Sequence, residues 1–146
     1  MARKNKHSGK NKGRFAGLPV WILESKAYVS LTPLAKALLL EIAGQYSGNN
    51  NGYLSLTRDD LTRRGYKTPS SNQKAIQSLL DAGFIVRTIE GGICRGRKTC
   101  HLYAITWQPS DENVDKPFNV QPLPIEKIKD LLRDAGREPM ITREIS

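Results

Sequence analysis

The stretch that most restricts how this 146-residue chain can fold is "DDLTRRGYKTPSSNQKAIQSLLDAGFI", residues 59–85. Thr57 stands ahead of it as an N-cap, and Asp60, three residues on, resembles the acidic partner of a capping box. The helix they open is short, from Arg58 to about Arg64, and Gly65 stops it. Thr68 and Pro69 then open a second helix, since a proline at the first helical position gives up no hydrogen bond. Ala75, Ile76, Leu79 and Leu80 mark its inward face, and Gly83 ends it. The result is a helix, a glycine-centred turn and a second helix. The question it poses is whether the unit touches nucleic acid or serves only as the core of a small domain.

The flanking segments place it in a larger plan. "FAGLPVWILESKAYVSLT" is a helical or extended lead-in that lays Trp21 onto the core. Thr32 and Pro33 open the most regular helix of the chain, with Leu34, Ala35, Leu38, Leu39, Ile42, Ala43 and Tyr46 on one face. It ends before "SGNNNG", where Gly52 and the asparagines tolerate positive φ. "YLSL" reads as a short strand with Leu54 and Leu56 on one side. After the two-helix unit, "FIVRTI" and "KTCHLYAITW" form a hairpin whose glycine-rich, basic tip is "EGGICRGRK". Helix, short strand, helix, helix, strand, basic loop and strand make an α+β chain in the order of a winged helix-turn-helix. In that arrangement the third helix enters a major groove and the hairpin, or wing, reaches the flanking backbone.

The domain organisation follows: a basic arm over 1–14, the winged helix-turn-helix over 15–108, a linker over 109–123 marked by Pro, Asp and Asn, and a tail over 124–146. The arm has a disordered composition. The tail holds one more helix, from Ile125 to about Ala135, with Ile125, Ile128, Leu131 and Leu132 as its apolar stripe. That helix has no place in the core of the plan. It is open to docking on the core, to pairing with a second copy in a homodimer, or to binding another protein.

Charge is unevenly spread. The first fourteen residues carry six basic side chains and no acid, residues 15–107 eleven basic and six acidic, and residues 108–146 six basic and eight acidic. A polyanion therefore suits the first two segments and not the third. The basic start is followed by "NKHSGKNKGR" rather than an apolar run, which excludes a secretory signal, and no stretch approaches the roughly 20 apolar residues of a membrane span. The expectation is a cytoplasmic protein with no membrane partner.

On the helix that begins at Pro69, with Ile76 at the centre of the buried face, Lys74 and Ser78 point away with Ser70, Ser71 and Gln77 beside them, and Gln73 of the same helix is counted with them as a DNA-binding residue. Ser, Gln and Lys hydrogen-bond base edges or phosphates, and a helix N-terminus suits a phosphate. Cations for the DNA backbone stand on both flanks: Arg58, Arg63, Arg64 and Lys67 on the preceding helix and turn, and Arg95, Arg97 and Lys98 at the hairpin tip. The arm residues Arg3, Lys4, Lys6, Lys10, Lys12 and Arg14 would add nonspecific affinity or enter a minor groove. Double-stranded DNA is the expected partner. RNA fits less well, because Tyr46, Tyr53, Tyr66 and Tyr103 do not fall on one sheet face as a stacking platform.

Other chemistry finds little support. Cys94, Cys100 and His101 resemble zinc ligands, but structural zinc needs four, and His7 lies in the arm. No metal or other cofactor is expected, and the cysteines read as small apolar residues near facing positions of the hairpin. Asp59 and Asp60 are explained by their place at a helix start. There is no phosphate-binding glycine loop, nucleophile elbow or histidine cluster, so no enzyme is expected.

"LPVWILESKAYVSLTPLAKALLLEIAGQYSGNNNGYLSLT", "AIQSLLDAGFI" and the closing "YAITW" resemble the winged-helix domain of small DNA-binding proteins of bacteriophages, prophages and plasmids, replication-initiator-like proteins among them. The resemblance spans about residues 15–108. It implies duplex binding through Ser70, Ser71, Lys74 and Gln77, with the wing around Arg97 on the backbone, inside a bacterial cell and near its nucleoid. It implies a role in transcription control or replication of a mobile element. A reading of another class stands beside it: a phage-encoded protein-interaction module or inhibitor that uses the same scaffold to bind a host protein.

Overall fold

The computed structural model describes residues 13–94, 97, 98 and 100–120. Arg3, Lys4, Lys6, Lys10, Lys12, Arg95 and the expected helix from Ile125 to Ala135 lie outside the described residues. The chain is a mixed α+β structure. Among the described residues five helices come first: α1 (Val20–Leu23), α2 (Lys26–Val29), α3 (Pro33–Gln45), α4 (Arg58–Arg63) and α5 (Pro69–Ala82). Strands β1 (Ile85–Ile89), β2 (Ile93–Cys94), β3 (Arg97–Lys98) and β4 (Leu102–Ile105) follow. β1 and β4 form an antiparallel pair, with Ile85 opposite Ile105 and Arg87 opposite Tyr103, and β2 and β3 form a second small pair. Element order and pairing are compatible with a winged helix. Among the described residues no helix is long and apolar enough to cross a membrane.

Local signals account for most element ends. The Thr32 hydroxyl accepts from Ala35 N at 3.2 Å and the Thr57 hydroxyl from Asp60 N at 3.1 Å, each such cap being worth about 1 kcal/mol. Gly83 ends α5 in the left-handed region at φ 82°, where any other residue is strained. Thr68 differs from expectation. It holds the N-cap position of α5 but makes no side-chain cap; Asn72, buried one turn later, donates to Tyr66 O at 3.0 Å and ties the turn to the helix instead.

The lead-in is helical, in two single turns, and it is Ile22 that is fully buried while Trp21 packs partly against the core. α3 supplies Ala35, Leu38, Leu39, Ile42 and Ala43 to that core, α5 supplies Ala75, Ile76 and Leu79, and Phe84 and Ile85 join it at the start of β1. The strand expected at "YLSL" is reduced to one bridge: Leu54 and Tyr103 exchange backbone hydrogen bonds at 3.0 and 2.8 Å. The basic loop contains the β2–β3 ladder, in which Cys94 faces Arg97 and not Cys100; Cys100 is an exposed free thiol outside both strands.

The segment expected as a linker lies, through Val120, against the domain. Asp111 and Asn51 exchange two hydrogen bonds, Asn51 N to the Asp111 carboxylate at 2.9 Å and Asp111 N to Asn51 O at 2.8 Å. The Tyr53 hydroxyl donates to Lys116 O and accepts from Asn113 N. The Phe118 ring packs on Tyr53 with centroids 5.5 Å apart, over Gly52, where a Cβ would collide with it. Compositional polarity reads as a linker because these anchors are backbone carbonyls and single rings, which no apolar period announces.

Candidate nucleic-acid interface

α5 presents two different halves on its exposed side. Near its N-terminus Ser70, Ser71, Gln73 and Lys74 are exposed, and none of their side chains has a partner among the described residues. Towards its C-terminus the polar groups are taken up: Gln77 Nε2 donates to Asp81 Oδ1 at 2.8 Å, and the half-buried Ser78 hydroxyl donates back to Lys74 O at 3.0 Å. The half of the helix left free is the one where the Ser70 and Ser71 N–H groups are also without an intrahelical acceptor and can meet an anion.

The expected backbone-contacting cations also divide. Arg58 and Lys67 are exposed and without an ion pair among the described residues. Arg63 is bound to the Asp60 carboxylate, and Arg64 Nε donates to Glu41 on α3 at 2.9 Å. Hydrogen bonds from Thr57, Ser55 and Arg63 hold the Asp60 carboxyl below its ordinary range against the opposing effect of burial. The Arg64 guanidinium is shifted up by its bond to Glu41. The Tyr66 hydroxyl donates to the same carboxylate at 3.1 Å, and burial first, Glu41 second, raise its pKa. Arg64 and Tyr66 thus fasten the turn between α4 and α5 to α3.

Arg14, counted with the arm, has a structural partner: its guanidinium donates to Gly44 O and Tyr46 O at 3.0 and 3.1 Å, where α3 leaves carbonyls unpaired. Arg97 and Lys98 form β3, which carries them out on the β2–β3 hairpin.

A groove of about 510 Å³ separates α5 from the base of that hairpin, lined among others by Arg58, Gln73, Gly91, His101 and Tyr103. Arg58 and Gln73 therefore face the same space from different helices. Residue patterns did not single out Arg87 of β1, whose guanidinium lies 5.8 Å from the centre of the Tyr103 ring; it belongs to a strand read only as one arm of the hairpin. His101 has a role other than metal binding, since its Nδ1 accepts from Gly91 N at 2.9 Å. Burial, then the charge of Arg87, depress its pKa, with Glu90 opposing. Among the described residues no group of three or more His, Cys, Asp or Glu is placed to hold a metal ion.

A larger groove of about 1340 Å³ runs between α4, the hairpin base and the returning segment, with Asp59, Asp60 and Glu90 as well as Arg58 and Arg63 on its walls. Its mixed charge suits a polyanion less than the face of α5 does.

Comparison with protein-family models, with curated proteins and with solved structures finds no match for this chain.

Proposed function

We propose that this chain is a sequence-selective, double-stranded DNA-binding protein of winged helix-turn-helix type, with α5 in the major groove and the β2–β3 hairpin as the wing. The observation that carries the reading is the contrast along α5. Its N-terminal half keeps Ser70, Ser71, Gln73 and Lys74 free, beside the equally free Arg58 and Lys67, while its C-terminal half bonds its polar groups internally. A face that only needed to be wetted has no reason to reserve one end.

Within this reading the residues take separate tasks. Gln73 matches the two-point pattern of an adenine edge, while Ser70 and Ser71 at the helix start and Lys74 suit phosphate oxygens. Arg58 and Lys67, with Arg97 and Lys98 of the wing, supply cations on both sides of α5. Action in the transcription control or replication of a phage or other mobile element is the setting that the resemblance of residues 15–108 supports.

The test is selection from a pool of random duplexes by the purified protein at two salt concentrations, with sequencing of the bound fraction. The expected result is an enriched motif that persists at the higher salt, and a palindrome within it would mean a homodimer on paired half-sites. Binding without enrichment, or no binding, rejects the proposal and turns the search to a host-protein partner.

A further inference from the structure

We infer that residues 111–120 are a strap that sets the position of the wing, and that Asn119 is the positioning residue through which the strap acts on DNA affinity. The inference rests on the DNA-binding reading above and adds a part of the chain that reading does not use.

The chain leaves the main sheet for the hairpin at Glu90, directly after β1, and passes at once through Gly91 and Gly92. Two consecutive glycines put almost no steric limit on direction, so the hairpin points where its ends are held. On the returning side His101 Nδ1 accepts from Gly91 N. On the departing side Asn119 grips Glu90 twice: Glu90 N donates to Asn119 Oδ1 at 2.7 Å, and Asn119 Nδ2 donates to Glu90 O at 3.4 Å.

Asn119 is itself fixed. Its backbone N–H donates to Thr88 O at 3.0 Å and that of Val120 to the same carbonyl at 3.1 Å. Phe118 beside it sits over Gly52 and against Tyr53, whose hydroxyl takes hold of Asn113 and Lys116. The buried core draws none of its residues from the strap. What the strap joins is the turn before α4 to the root of the wing. Its hydrogen bonds therefore act on orientation rather than on the burial that holds the domain together.

The experiment uses the full chain and the duplex it selects. Asn119→Ala is measured alone and in an Arg97→Ala/Lys98→Ala background, with thermal unfolding and hydrogen exchange at the Gly91 amide followed in each protein. The expected result is a loss of affinity of about tenfold in the first background and under about twofold in the second, since a wing that keeps only Arg95 of its three cations has little left to misplace. Gly91 exchange should be faster with the unfolding midpoint nearly unchanged. Equal losses in both backgrounds, or none in either, overturn the inference. If the natural chain selects no duplex, the DNA reading fails and the effect on affinity with it; faster exchange at Gly91 in Asn119→Ala would still establish the clamp, and unchanged exchange would remove it.

Discussion

His101 accepts a hydrogen bond through Nδ1, and an imidazole can do so only while that nitrogen is unprotonated. Its pKa is lowered from the ordinary 6.5, by burial and then by Arg87. A group depressed in the folded state contributes stability that is fully present above its unfolded pKa and is lost as pH falls through the folded one. The hairpin root should therefore hold above about pH 6.5 and loosen below it as His101 takes up a proton. An NMR titration of the Gly91 amide is expected to follow the His101 ring, with a midpoint below 6.5, and to lose that transition in His101→Ala; a midpoint above 6.5 would reject the assignment. The residue is visible in the sequence, where a metal reading fails for want of four ligands and no other role is offered. The acceptor role depends on Gly91 lying opposite, ten positions away along the chain, which spacing alone does not encode.

At the scale of elements, α4 and its C-cap carry three arginines that residue type cannot tell apart. Arg64 is spent on Glu41 of α3, Arg63 on Asp60, and Arg58 has no ion pair among the described residues. Arg64→Ala should lower stability only slightly, as expected for an exposed pair, and leave DNA affinity nearly unchanged. Arg58→Ala and Lys67→Ala should leave stability alone, weaken binding to all sequences, and reduce the slope of log affinity against log salt by about one each. Equal effects of Arg58→Ala and Arg64→Ala on binding would show that the Glu41 contact does not occupy Arg64. α3, α4 and α5 were legible, because period, N-cap threonines at 32 and 57 and the glycine at 83 are local signals, whereas the lead-in could be read as helical or extended until α1 and α2 were seen. So was the exposed side of α5. Which polar groups on that side are already satisfied was not, since Gln77 and Ser78 look as available as Gln73 until Asp81 and the Lys74 carbonyl are seen beside them.

Across the whole molecule, the strap converts a loop and a sheet into neighbours. Gly52 sits at φ 118° beneath the Phe118 ring, so Gly52→Ala is penalised both by backbone conformation and by collision. The variant should lose about 1–3 kcal/mol in denaturant unfolding, while Phe118→Ala relieves the collision but not the φ strain. If Gly52→Ala were as stable as the natural chain, the ring would not be seated there. By itself the sequence determined the α+β character, the helix ends and the run of cations, for each follows from residues within a few positions of one another. It also carried the buried faces of α3 and α5, whose period of 3.6 needs no partner to be read. Only the tertiary structure decided that Arg14 caps α3, that Arg64 is held by Glu41, and that residues 111–120 return to the hairpin root instead of leaving the domain. Those outcomes rest on hydrogen bonds between groups 23 to 60 positions apart, and such bonds have neither a period nor a composition by which a sequence could reveal them.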